Sequence, residues 1–121
     1  MKSLSAKKIA WACQTACRLE VCAEKPGNVT PHHAFRDATI DDFMASAEAI
    51  ESVFQNIDRA SVGETVLHAV QATRQRTETN TNLGMILLLA PLAKAASIGH
   101  PGGMRPAVAH VLQTQIGRAH V

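Results

Sequence analysis

Leu83 to Ala93 runs for eleven residues without one charged or hydrogen-bonding side chain, and no other stretch constrains the fold as much. A segment this apolar has to be covered by the rest of a protein or by lipid. It falls short of the ~20 apolar residues that a membrane span needs, and it is broken by Pro91 and closed by Lys94. It therefore reads as a buried helix, running from near Asn82 through Met85, Ile86, Leu89 and Leu92 to about Ser97. A helix apolar nearly all round belongs at the centre of a bundle, and Pro91 should kink it.

The covering layer should be helical as well. The chain is 46% hydrophobic but only 3% aromatic, with no tyrosine, so its core is built from Ala, Leu, Ile, Val and Met. Strands favour aromatic and β-branched residues, whereas this mixture favours helices. The 121 residues make one domain or part of one. A net charge of +2 is too small to argue for nucleic acid or an anionic membrane as partner. Met1 to Lys8 is basic, but no clean apolar run follows it as a secretory signal requires. Cys13 and Cys17 share a helix face at i,i+4 and Cys22 points elsewhere. No second ligand pair at zinc spacing accompanies them, so they read as small reduced residues of a cytoplasmic protein.

Four more helices can be placed. The first runs from about Ser5, its cap, to Ala23, with Ile9, Ala12, Ala16, Leu19 and Ala23 as its apolar stripe. Lys25-Pro26-Gly27 ends it, and Glu24 to Ala38 is a loop. A second starts with Thr39 as N-cap and Asp41-Asp42 in its first turn, carries Phe43, Ala47, Ile50 and Phe54, and stops near Gln55-Asn56. Ser61-Val62-Gly63-Glu64 has the form of a capping box. It opens a third helix with Val66, Leu67, Val70 and Ala72, which fades at Arg74 to Arg76. After the loop Ile98 to Gly103, a fifth spans Arg105 to Gln113 with Pro106 in its first turn. The expected architecture is all-α, a bundle of four to five helices around an apolar central one.

Two polar strings interrupt this plan. Lys25-Pro26-Gly27-Asn28-Val29-Thr30 supplies a cation, a glycine for close backbone approach, an amide and a hydroxyl, the groups a polyphosphate wants. It is not a Walker loop, and on spacing alone it could equally be an interhelical turn. Thr79-Asn80-Thr81-Asn82-Leu83-Gly84 offers four polar residues where one N-cap would suffice. That excess, at the start of a buried helix, points to a ligand phosphate or its metal. His32-His33 fits either a proton donor with its orienting partner, two metal ligands, or a solvated pair. Asp41 and Asp42 are accounted for by the helix N-terminus. Asp37 is not, which makes it the better candidate for base or magnesium. Glu48 and Glu51 face mostly outward and read as solvated, although either could edge into a cleft; His68 and His100 carry no assignment.

Glu24-Lys25-Pro26-Gly27-Asn28-Val29, then Asp42-Phe43-Met44-Ala45-Ser46-Ala47, then Thr79-Asn80-Thr81-Asn82-Leu83-Gly84 before an apolar helix, resembles the triphosphoribosyl-dephospho-coenzyme A synthase family. The likeness spans about Leu19 to Ala96. It implies an all-helical fold and a cytoplasmic transferase that moves a triphosphoribosyl group from ATP to a ribose hydroxyl of dephospho-coenzyme A, releasing adenine, in prosthetic-group biosynthesis. It implies ATP as substrate with Mg2+, a dephospho-coenzyme A-like acceptor, no nucleic acid or membrane partner, and an oligomer as an open possibility. On this reading Lys25, Gly27, Asn28, Asn80, Thr81, Asn82 and Gly84 hold the triphosphate. Asp37 or Asp41 serves as base or metal ligand, and His33 as proton donor. The chain departs from the family pattern in two places. Thr30 follows the first string where an acidic residue is usual, and the Asn-Thr-His-Lys-Gly form of the second is replaced by Thr-Asn-Thr-Asn-Leu-Gly. The acceptor could differ accordingly. The alternatives are a metal-dependent nucleotide hydrolase using Asp37, Asp41 and Glu48, and a non-catalytic helical binding module.

Ile116-Gly117-Arg118-Ala119-His120-Val121 reads as the translation of a widely used sequencing adapter. Residues 1–115 are then expected to be the N-terminal part of one helical domain, with 116–121 not native and the bundle incomplete at its C-terminal side. Apolar faces made for absent helices would be exposed.

Overall fold

The computed structural model describes residues 1–22, 40–77 and 82–116. The order is α1 (Ala6–Cys22), α2 (Ile40–Phe54), α3 (Val62–Arg76), α4 (Leu83–Ile98) and α5 (Met104–Val111), the last continuing as one π-helical turn, Leu112–Ile116. Among the described residues there is no strand, and no helix is long and apolar enough to cross a membrane. The all-α bundle expected from composition is what forms.

The local signals act as the physics of helix ends requires. Ser61 Oγ accepts from the Glu64 N–H at 3.1 Å and the Glu64 carboxylate accepts from the Ser61 N–H at 3.0 Å, completing the capping box. Hydrogen bonding to the Ser61 backbone N–H first, and then to its side chain, holds the Glu64 carboxyl below its ordinary value. Ser5 Oγ accepts from Lys8 N–H at the start of α1. Thr39, the expected cap of α2, lies outside the described residues.

The contacts of α1 to α4 define two poles: Leu4 meets Ala96 and Lys94 meets Ile57 at one, and Asn82 meets Ser46 and Thr73 toward the other. At one pole the chain is held by protein groups alone. Leu4 N–H donates to the Ala96 carbonyl and His100 N–H to that of Met1, at 2.9 and 3.0 Å. Val62 N–H donates to Gln115 Oε1 at 2.9 Å, meeting a first-turn donor that α3 leaves unpaired. Lys94 Nζ donates to the Ile57 carbonyl at 3.0 Å and that of Asp58 at 3.5 Å, placing a cation where the α2 dipole is negative.

The core is largely small: Ala10, Ala47, Ala69, Ala90 and Ala95 are fully buried, packed around Ile50, Phe54, Ile57, Ile86 and Val111. Phe54 is the largest fully enclosed side chain, worth about 1.5–3 kcal/mol relative to an exposed one.

Three expectations need correction. The buried stripe of α1 is Ile9, Cys13, Cys17 and Val21, while Leu19 is 65% exposed. The cysteines pack as small hydrophobes and rotate the stripe by about one residue. In α3 the core face is Val62, Thr65, Ala69 and Thr73, whereas Leu67 is exposed. Thr65 can be buried because its hydroxyl donates to the Ser61 carbonyl at 2.9 Å. Finally, α4 lies among α1, α3 and α5, but it is not enclosed: Leu87 and Leu88 are 54% and 57% exposed, while Lys94 at its far end is buried. Pro91 sits within α4 without ending it. The carbonyl it cannot bond belongs to Leu87, an exposed residue.

Candidate functional site

The second pole gathers the ends from which both polar strings depart: Cys22 closing α1, Ile40 opening α2, Arg76 closing α3 and Leu83 opening α4. Asn82 ties three of these helices together. Its side chain is 7% exposed. Its carbonyl Oδ1 accepts from the Thr73 hydroxyl at 3.2 Å, and its Nδ2 donates to the Ser46 carbonyl at 3.1 Å. Ser46 and Ala47 on α2 are both fully buried, and their small side chains give the amide room to reach that carbonyl. Ser46 Oγ in turn donates to the Asp42 carbonyl at 2.8 Å.

This use of Asn82 has a consequence for α4. Its N-cap makes no side-chain hydrogen bond to the first turn, because the amide is engaged sideways with α2 and α3. Ile86 N–H takes the Asn82 carbonyl. Among the described residues no side chain accepts from the N–H groups of Leu83, Gly84 or Met85, the positive end of the helix dipole. Gly84 is exposed, has no positive φ, and an added Cβ would meet nothing within 4 Å. Neither backbone geometry nor protein packing accounts for glycine there. Asp41 is exposed in the first turn of α2 at the same pole.

Of the other residues singled out in the sequence, Lys25, Gly27, Asn28, His32, His33, Asp37, Asn80 and Thr81 lie outside the described residues. Among the described residues no group of three or more His, Cys, Asp or Glu side chains is arranged for a metal ion. His68 is exposed beside Ser52, Asn56 and Thr65 in a groove between α2 and α3. His100 has a structural part: its Nδ1 accepts from the Gly102 N–H at 2.9 Å.

Residues that spacing alone did not single out join Glu48. Arg18 Nη2 donates to Glu48 Oε1 at 2.9 Å, and Arg76 Nη1 stands 3.7 Å from Glu48 Oε2. These side chains, from α1, α2 and α3, border an open groove of about 380 Å³ with Gln14, Glu51, Ser52 and Gln55. Arg18 Nε is buried and has no partner. Glu48 and Glu51, read from the sequence as outward-facing, both border this groove. The arginines were hidden because the contact joins residues 30 positions apart, which no local pattern encodes. Cys13 and Cys17 take no part: burial first, then the neighbouring Cys17, pushes the Cys13 thiol up to about 12. Burial and then Glu20 push that of Cys17 up to about 11.

Compared with known proteins, the chain is matched over residues 6–119 by the model of one family, described as ATP:dephospho-CoA triphosphoribosyl transferase. No curated protein and no solved structure matches it.

Proposed function

The chain belongs to the ATP:dephospho-CoA triphosphoribosyl transferase family, and from that premise we propose that it moves the triphosphoribosyl group of ATP to a ribose hydroxyl of dephospho-CoA or a related acceptor. The observation that carries this reading is the unfilled first turn of α4, at the pole where both polar strings leave the described helices. Three backbone N–H groups at the positive end of a helix suit a phosphate oxygen. Lys25, Gly27, Asn28, Asn80 and Thr81 are the groups proposed to complete the cradle, and Gly84 leaves the backbone open to close approach. Asn82 then acts as a positioning residue: it sets the angle of α4 against α2 and α3, and its backbone rather than its amide faces the substrate.

The reaction breaks the glycosidic C–N bond between ribose and adenine and forms a C–O bond to the acceptor. The acceptor hydroxyl gives its proton to a base, for which Asp37 or Asp41 is proposed. Adenine leaves with a proton supplied by a donor, for which His33 is proposed. The ribose carbon passes through an oxocarbenium-like centre, which a nearby carboxylate stabilises. Mg2+ fits the donor set, because it binds through one or two carboxylates together with substrate phosphates, and Asp41 is an exposed carboxylate at this pole. When bound it would neutralise triphosphate charge, with Asp41 and Asp37 as the residues that would hold it. Glu48, engaged by Arg18 and Arg76, is a poor metal ligand, which argues against the hydrolase alternative.

The test is adenine release from ATP, followed by chromatography, with dephospho-CoA as acceptor. The wild-type protein should release one adenine per acceptor consumed, and Lys25→Ala should abolish it. Phosphate release without adenine would turn the reading to hydrolysis. No heat on titrating millimolar Mg-ATP would turn it to a non-catalytic module.

A further inference from the structure

The reaction joins two phosphorylated substrates, and the first turn of α4 with its flanking strings can hold one polyphosphate. The groove between α1, α2 and α3 has the composition to hold the other. On α1, Trp11, Gln14 and Arg18 lie three and four residues apart and so share one face. On α2, Asp41, Glu48 and Gln55 lie seven apart and share another. The two helices are antiparallel, and the Arg18–Glu48 contact sets their register. Counting outward from it, Gln14 comes level with Ser52 and Trp11 with Gln55. Gln14, Arg18, Ser52 and Gln55 all border the groove. Trp11 is 64% exposed, at the end away from the pole that carries the strings.

We propose that this groove is the acceptor's subsite and takes a nucleoside diphosphate, with Arg18 and Arg76 on the diphosphate and the Trp11 indole against the base. The assignment rests on the transferase reading above and adds to it where the second substrate lies. Guanidinium groups pair with phosphate oxygens through two parallel N–H bonds, and these two point at one carboxylate from different helices. The resting arrangement leaves donors to offer. The Arg76–Glu48 separation of 3.7 Å is too long for a hydrogen bond. Trp11 lies about 10 Å along α1 from Arg18, at 1.5 Å per residue, an extent comparable to a nucleoside diphosphate. Gln14, Ser52, Gln55 and Glu51 supply donors and acceptors for the sugar hydroxyls between. A bare ion-pair network would explain the charges, but not an exposed indole on the same face.

The test uses Trp11, the chain's single tryptophan. ADP is titrated into the protein while indole fluorescence is followed, with AMP and adenosine as comparisons. The expected result is saturable quenching by ADP, at least tenfold weaker with AMP and absent with adenosine. Arg76→Ala should weaken ADP binding at least tenfold with an unchanged melting temperature. Equal quenching by ADP and adenosine, or unaltered ADP affinity in Arg76→Ala, overturns the proposal. Steady-state kinetics separate the two substrates: Arg76→Ala should raise KM for dephospho-CoA at least tenfold and leave KM for ATP within twofold. The reverse pattern assigns the groove to the donor and overturns the acceptor assignment. Should the wild-type protein release no adenine, the transferase reading fails while the ADP titration still decides the groove.

Discussion

Gly84→Ala separates the two reasons a helix can carry glycine. Glycine in a helix is less stable than alanine by about 0.5–1 kcal/mol, chiefly through backbone entropy. Gly84 is the second residue of α4, exposed and at ordinary φ, and nothing stands within 4 Å of an added Cβ. The substitution should therefore stabilise the fold. Close to a frayed helix end the gain should be about 0.5 kcal/mol, or roughly 2 °C in Tm for a domain of this size. If the Gly84 N–H instead serves a phosphate, the new methyl group crowds the approach. A hydrogen bond to a charged group contributes about 1.5–3 kcal/mol, so its loss weakens binding roughly 10- to 150-fold. The expected outcome is a higher melting temperature together with at least a tenfold rise in KM for ATP. Gly63 is the matched control. It is the second residue of α3, equally exposed and with equally open surroundings, but at the opposite pole. Gly63→Ala should raise Tm by a similar amount and leave KM unchanged. A Gly84→Ala protein that is more stable and fully active would refute the idea that the first turn of α4 meets the substrate.

Asn82→Ala removes two buried hydrogen bonds and leaves the Thr73 hydroxyl without its acceptor; it should cost about 1–3 kcal/mol, read as a lower urea midpoint at unchanged m-value. Gly99→Ala should be worse than its size suggests: φ is +77° and the new Cβ would lie 2.8 Å from the Met1 carbonyl oxygen and the Ser3 nitrogen. The N-terminal segment should detach from His100, which limited proteolysis before residue 5 would reveal. The two buried thiols predict an alkaline limit. Below the ordinary 9.0 they are neutral whether folded or unfolded; above it the unfolded chain ionises first, since the folded values are about 12 and 11. Their contribution is therefore whole below pH 9 and is lost as pH rises through 11 and 12. Urea titrations between pH 8 and 11 check the sign, and a thiolate reagent at pH 8 should reach the exposed Cys22 while sparing Cys13 and Cys17.

What was legible in the sequence was what local chemistry encodes. Ser61 and Glu64 are three residues apart, and each satisfies the other's backbone donor, so the start of α3 could be read directly. Of Phe43, Ala47, Ile50 and Phe54, which recur at helical spacing, the last three set the inner face of α2 with Ser46 and Ala49, and Phe43 is only partly buried. The errors arose where a polar or ambiguous residue is buried because a distant partner satisfies it. Thr73 reads as a surface residue until Asn82 supplies an acceptor, and Lys94 reads as the end of an apolar run until the carbonyls after α2 surround it. The two Arg–Glu contacts are of the same kind. The resemblance implied a phosphate role for the second string, but not that the Asn82 amide turns inward to Thr73 and Ser46.

That division between poles is the feature that ties stability to function. At the far pole Ser61, Glu64, Gln115 and Lys94, with the segment before α1, meet orphaned helix-end groups from within the protein. At the near pole Asn82 orients α4 without a side-chain hydrogen bond to its first turn. A helix end left uncapped costs stability, of order 1 kcal/mol, and that cost is sustained only if it is offset elsewhere. The far pole is where the offset lies. On the proposed function, the first-turn amides of α4 serve an anion while the contacts at the far pole hold the fold. Substitutions at Ser61 or Lys94 should accordingly lower Tm without moving KM, and that result is read by thermal melts alongside KM for ATP.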